Sequence, residues 1–213
     1  MDYKLVIFDW DGTVMDTVPK IVNTINLVAD QYGFSRESEE KTKSIIGLSL
    51  EHALATLFPA QANRSTELAT AYKTIYRDVD RTPTELFNGV EQVIKQLSEN
   101  NIKLAIATGK SRQGLDRLLN ESGLAQYFVC SRTADEAQSK PNPDMIQQIL
   151  AELDVAPQET VMIGDTTIDM DMASQAGVAA IGVTFGVANA TELQAFSPVH
   201  IIDEFEQLLT CLL

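Results

Sequence analysis

Four consecutive apolar residues, Leu5-Val6-Ile7-Phe8, run straight into Asp9-Trp10-Asp11-Gly12-Thr13. An apolar run without polar alternation suits a strand buried on both faces, and such strands belong to parallel sheets covered by helices. A buried strand has no structural need of carboxylates at its end, and two ionised ones there repel each other. In an open parallel sheet, however, the carboxyl ends of the strands are where ligands bind. The pair is therefore a cation site, a nucleophile with a helper, or an accident of a polar turn.

The remainder of the chain supplies the other strands. From about Phe87 onward, helical and strand-like stretches alternate. Val90, Val93, Ile94 and Leu97 fall on one helical face; Lys103 to Ala107 reads as a strand; Ser111 to Ser122 reads as a helix closed by Gly123. A short strand at Tyr127 to Cys130, a helix from Asp144 to Leu153 and a strand from Thr160 to Ile163 follow. A helix ending at Gly177 and strands at Val178 to Val183 and His200 to Ile202 complete the series. This alternation predicts an α/β fold, a Rossmann-like parallel sheet flanked by helices.

Residues 15 to 83 break the rhythm. Ile21, Ile25, Val28 and Tyr32 share a helical face, as do Leu50, Leu54 and Leu57, and then Leu68, Ile75 and Val79, with no strand-like run between. The segment is too long for a crossover and predicts an all-helical insertion over the carboxyl end of the sheet. The expected division is a core of residues 1–14 and 84–213 with a helical cap of residues 15–83. Within the insertion, Asp78 and Asp80 read as a solvated face.

Charge narrows the partners. Thirty acidic residues face 16 basic ones, a net charge of -14, and nucleic-acid binding leans on Lys and Arg neutralising phosphates. No nucleic-acid partner is expected. No apolar run reaches the length of a membrane span, and the first residues do not read as a secretory signal, so a cytoplasmic protein without a membrane partner is expected. Cys130 and Cys211 are too few for a disulfide framework and lack metal-ligand neighbours. A small anionic substrate fits this charge only where the site supplies local positive charge, as a divalent cation would.

Four polar motifs follow strand ends. They are Asp9-Trp10-Asp11-Gly12-Thr13, Thr108-Gly109-Lys110, Lys140-Pro141-Asn142-Pro143, and Gly164-Asp165-Thr166-Thr167-Ile168-Asp169. Converging on one crevice, they bring carboxylates, a hydroxyl, an ammonium and helix-start N–H groups together. That inventory describes a site for a phosphoryl group and a hard, oxygen-bound divalent cation. Gly109-Lys110-Ser111 imitates the end of a nucleotide P-loop, but Leu104 stands where that motif needs glycine. Lys110 is expected to point to solvent or to the cap, and Asp171, His52 and His200 to be surface or packing residues.

The four motifs, in this order and with a helical insertion after the first strand, resemble the haloacid dehalogenase superfamily. The match covers essentially the whole chain and is nearest the phosphoglycolate phosphatase-like, α-capped phosphatases. The resemblance implies a Mg²⁺-dependent phosphomonoester hydrolase acting on a small phosphorylated metabolite, as a monomer or homodimer. It implies Asp9 as nucleophile and metal ligand, and Asp11 as general acid/base that lends the metal its carbonyl. It further implies Thr108, Gly109 and Lys140 as phosphoryl-binding groups, with Asp165 and Asp169 completing the metal set. Gly109 departs from the polar residue that many relatives carry there.

Within the same aspartyl-phosphate chemistry, a pyrophosphatase or a phosphosugar mutase is the alternative. A receiver-like, phosphate-accepting binding module would also pair carboxylates with Mg²⁺, but it has no use for residues 15–83.

Overall fold

The computed structural model describes residues 3–213. Its main sheet has six strands, all parallel. In chain order these are β1 (Leu5–Phe8), β4 (Lys103–Ala107), β5 (Phe128–Arg132), β6 (Thr160–Gly164), β7 (Ala179–Val183) and β8 (His200–Ile202), while β2 (Met15–Asp16) and β3 (Glu85–Leu86) form a separate ribbon. Across the sheet the order is β5-β4-β1-β6-β7-β8. The first strand is thus central, as its unbroken apolar run requires. Val6 and Phe8 enter one hydrophobic cluster and Leu5 and Ile7 the other, all fully buried. Each such side chain stabilises the fold by roughly 1.5–3 kcal/mol.

Register is what assembles the site. Phe8 is level with Ile106 of β4 and with Ile163 of β6, and Asp9 N donates to Ile163 O at 2.9 Å. Asp9, Thr108 and Asp165 therefore leave the sheet at one edge, from three adjacent strands. Helices α5 (Val90–Glu99), α6 (Arg112–Ser122), α7 (Asp144–Leu153) and α8 (Thr167–Ala176) connect the strands. Short helices α9 (Ala190–Gln194) and α10 (Gln207–Leu212) close the chain. The ends of α6 follow from local chemistry: the Ser111 hydroxyl accepts from Gly114 N, and Gly123 takes the left-handed conformation (φ 71°) that ends it.

The segment after β1 carries α1 (Val18–Tyr32), α2 (Glu39–Lys43), α3 (Leu50–Leu57) and α4 (Ser65–Thr74). Of these, α1, α3 and α4 share their own cluster, with Ile21, Ile25, Val28, Leu54, Leu57 and Leu68 in it. Contrary to an insertion free of strands, the chain enters it through β2 (Met15–Asp16), which pairs antiparallel with β3 (Glu85–Leu86) on the way out. Two residues per strand are too short to register as a sequence pattern.

The last turn of α4 widens into a π-helical segment, Ile75–Val79. That change of pitch turns Val79 outward, where it is 57% exposed instead of joining the face expected of it. Asp80 also departs from its expected solvated face and is buried. Its carboxylate accepts from Thr24 Oγ1 at 2.7 Å and Thr82 N at 2.8 Å, while its carbonyl accepts from Lys20 Nζ at 3.0 Å. Burial pushes this carboxyl up, but the hydrogen bonds from Thr82 and Thr24 outweigh it and hold it below the usual carboxylate range. Asp78, by contrast, is exposed and paired with Arg77.

Asp80 thus ties the exit of the insertion to its entry helix. Asp80→Ala leaves the Thr24 hydroxyl and the Thr82 N–H without their acceptor, and should cost about 1–3 kcal/mol of stability. A urea titration should show the midpoint falling accordingly.

Candidate active site

Asp9 sits one residue past β1 and is 1% exposed. Lys140, in the loop between β5 and α7, reaches it with Nζ 2.8 Å from Asp9 Oδ1 and 2.7 Å from Asp169 Oδ1. Lys140 Nζ is the cation at Asp9 Oδ1, and Asp9 Oδ2 has no hydrogen-bond partner among the described residues. Asp169 is better satisfied. It is the third residue of α8, where it closes a capping box with Thr166: Thr166 Oγ1 and N donate to Asp169 Oδ2 at 2.6 and 3.2 Å. The cap that starts α8 thereby orients the carboxylate that holds Lys140.

Asp165 completes the cluster. Thr13 Oγ1 donates to its Oδ1 at 2.8 Å and Val187 N to its Oδ2 at 2.9 Å. A Cβ on Gly12 (φ 78°) or on Gly186 would lie 2.3 Å from Asp165 Oδ2, so both loops pass Asp165 at a distance only glycine permits. One carboxylate oxygen from each of Asp9, Asp165 and Asp169 falls within 4.8 Å of the others.

Electrostatics follow from burial. Burial pushes the Asp9 carboxyl up; Lys140 pulls it down, while Asp169 and Asp11 add to the rise, and it stands at about 7. Asp165 is also held well above the usual carboxylate range, by burial first and then by Asp169 and Asp9. Burial alone would lower the Lys140 ammonium, yet the two carboxylates beside it raise it above the usual lysine range.

Three carboxylates around one ammonium leave excess negative charge. The donors are all oxygen, and Asp9 Oδ2 has no hydrogen-bond partner among the described residues. This set fits a hard divalent cation such as Mg²⁺. Asp9 has the freer oxygens: each oxygen of Asp165 accepts one bond, from Thr13 or Val187, and Asp169 serves Lys140 and Thr166.

Asp11 lies apart from this cluster. Its Oδ1 accepts from Thr17 Oγ1 at 2.5 Å and from Lys110 Nζ at 2.8 Å. Lys110 therefore does not point to solvent: its side chain is 11% exposed. It also lies 5.4 Å from the ring centre of Tyr76 in the insertion. Sequence reasoning missed Lys110, Thr13, Thr17 and the Gly186-Val187 turn. Lys110 faces the insertion, one of the two directions expected of it, but its pairing with Asp11 was not foreseen, and the turn after β7 carried no signal.

Thr108 is fully buried, and its hydroxyl accepts from Lys110 N at 3.3 Å. Gly109 has a steric role. A Cβ there would lie 2.5 Å from the carbonyl oxygens of Gly47 and Leu48, in the link between α2 and α3. Ser49 N adds a hydrogen bond to Ser139 Oγ at 2.9 Å.

The residues that meet here span the whole chain, and so do its likenesses to known proteins. The model of the haloacid dehalogenase-like hydrolase family matches residues 6–183. The chain belongs to this family. Among curated relatives, a protein of Dickeya dadantii named probable phosphatase IndB is 35% identical, over 96% of this chain and 91% of its own. The pyrophosphatase PpaX of Bacillus mycoides is 28% identical over 100% and 98%. A phosphoglycolate phosphatase of Vibrio parahaemolyticus is 26% identical over 98% and 95%. A crystal structure from Bacteroides fragilis, described as a haloacid dehalogenase-like hydrolase, superposes with a TM-score of 0.90 at 27% identity. It covers 97% of this chain and 100% of that one. No helix among the described residues is long and apolar enough to cross a membrane.

Two expectations follow from this geometry. The Asp9 carboxyl is raised in the folded, metal-free protein, so its contribution to stability is fully present below its ordinary value of 3.8. That contribution is lost as pH rises through about 7. Mg²⁺ should therefore raise the melting temperature more at pH 8 than at pH 5, as differential scanning fluorimetry would register. Gly109→Ala should force the Gly47–Leu48 backbone away at a cost of about 1–3 kcal/mol. Hydrogen exchange at residues 45–49 should speed up while that of the central strands does not.

Proposed function

We propose that this protein is a Mg²⁺-dependent phosphomonoester hydrolase that works through an aspartyl-phosphate on Asp9. The observation that carries the reading is the Asp9 carboxylate, buried, with one oxygen lacking a hydrogen-bond partner among the described residues, and held between Lys140 and two further carboxylates. An Asp9 oxygen attacks phosphorus, the oxygen–phosphorus bond forms, and the bond to the leaving alkoxide breaks. Asp11 gives that alkoxide its proton and then takes one from the water that attacks the phosphoryl group, which frees Asp9. Lys140 opposes the rise of the Asp9 carboxyl and so favours its ionised form, and it offsets charge on the transferring group. Thr108 and the N–H groups beside Gly109 bind phosphoryl oxygens.

Asp9, Asp165 and the Asp11 carbonyl would hold Mg²⁺, with Asp169 supporting it from its pairing with Lys140. The ion, when bound, neutralises phosphoryl oxygens and the clustered carboxylates. Residues 15–83 act as the cap over this centre, and the substrate is a small phosphorylated metabolite. The protein works as a monomer or homodimer in the cytoplasm, in keeping with its unpaired cysteines.

The relative named pyrophosphatase supports one rival, hydrolysis of a phosphoanhydride by the same residues. A phosphosugar mutase would share the first half-reaction but return the phosphoryl group to a second hydroxyl. Stoichiometric phosphate release separates hydrolysis from mutation, and specificity constants for pyrophosphate against monoesters separate the two hydrolases.

With Mg²⁺ the purified protein should hydrolyse p-nitrophenyl phosphate, and EDTA should stop it. Asp9→Asn should lower kcat by at least about a thousandfold. Turnover that survives this substitution would overturn the nucleophile assignment.

A further inference from the structure

A cavity of about 410 Å³ opens between the insertion and the core, with Asp11 and Lys110 on one wall. It has room for about a dozen waters at roughly 30 Å³ each. A two-carbon acid or a second phosphoryl group has about five heavy atoms and would leave more than half of that space wet. Such a leaving group also gives an apolar wall nothing to cover, and most of the wall is apolar: Ile21, Ile25, Ile46, Leu54 and Tyr72 line it.

Tyr72 and Tyr76 form a stacked pair, ring centres 5.7 Å apart. Tyr76 belongs to the π-helical segment that ends α4, a local distortion that recurs at functional sites. It is 7% exposed, and its hydroxyl is buried without a hydrogen-bond partner among the described residues. Three cations surround this ring: Lys20 Nζ at 4.7 Å from its centre, Lys110 Nζ at 5.4 Å and the Arg117 guanidinium at 5.8 Å. Lys110 and Arg117 also line the cavity. Each cation also has a partner, Lys110 with Asp11, Arg117 with Glu121 and Lys20 with the Asp80 carbonyl, so the ring sits among paired charges beside an orphaned donor.

Resting on the phosphomonoesterase reading, we propose that the leaving group is a ring-bearing alcohol. Its ring packs on Tyr72 and the apolar wall, and a hydrogen-bond acceptor on the ring meets Tyr76 and the Arg117 guanidinium, both on the cavity wall. Tyr76 is thus a specificity-determining residue. The Lys110 ammonium links the two ends of the pocket, touching Asp11 at the scissile end and facing Tyr76 at the other.

The test compares four esters of primary alcohols, so that leaving-group reactivity stays similar: ethyl phosphate, phosphoglycolate, benzyl phosphate and 4-carboxybenzyl phosphate, each with Mg²⁺. The native protein should show a kcat/KM at least tenfold higher for the two ring esters than for ethyl phosphate or phosphoglycolate. In Tyr76→Phe the preference for 4-carboxybenzyl over benzyl phosphate should fall about fivefold, through KM. A preference for phosphoglycolate, or an unchanged ratio in Tyr76→Phe, overturns the proposal while leaving the hydrolase reading standing. No hydrolysis of any of the four, nor of p-nitrophenyl phosphate, overturns both.

Discussion

The buried ammonium of Lys140 is the interaction on which the rest depends. Taking an ion out of water costs several kcal/mol, and paired burial is seldom a net gain over apolar packing. The chain nevertheless buries Lys140 completely, against Asp9 at the end of the first strand and Asp169 at the start of α8. The arrangement joins three separate segments of the core and makes each charge conditional on the others. Removing one partner would leave a buried charge uncompensated, a loss of roughly 3–5 kcal/mol. A contact that costly points to chemistry more than to stability, because Asp9 is kept poised and incompletely satisfied.

From that centre, Asp9 and Asp11 diverge. They are two residues apart in the chain, yet one is enclosed by the core's carboxylates and the other lines the cavity beneath the insertion. The insertion supplies Thr17 and the core supplies Lys110, both to the same oxygen of Asp11. Two chemically identical side chains thereby acquire different environments, the condition for one to act as nucleophile and the other to exchange protons. The insertion itself sits so close that Gly109 has no room for a side chain. The departure at this position is a matter of steric contact with Gly47 and Leu48.

Much of this was legible beforehand because its signals are local and periodic. An unbroken apolar run places β1 at the centre of the sheet, and glycines mark the helix ends at positions 123 and 177. Other features were hidden for equally physical reasons. The β2–β3 ribbon is only two residues deep on each side. The π-helical turn that exposes Val79 leaves no trace in a 3.6-residue pattern. Asp80 looks like its neighbour Asp78 until Thr24, 56 positions away, donates a hydrogen bond to it.

The sequence by itself determined the class of fold, the strand ends that carry chemistry and the carboxylates, threonine and lysine that meet there. Those properties reside in short stretches whose hydrophobic period and turn residues act locally. Only the tertiary structure decided that Asp169 braces Lys140 through a helix cap and that Lys110 turns inward to Asp11. It also decided that a cavity with an unsatisfied tyrosine hydroxyl lies beside them. Each of these depends on distances between segments far apart in the chain, set by strand register and by how the insertion packs on the core.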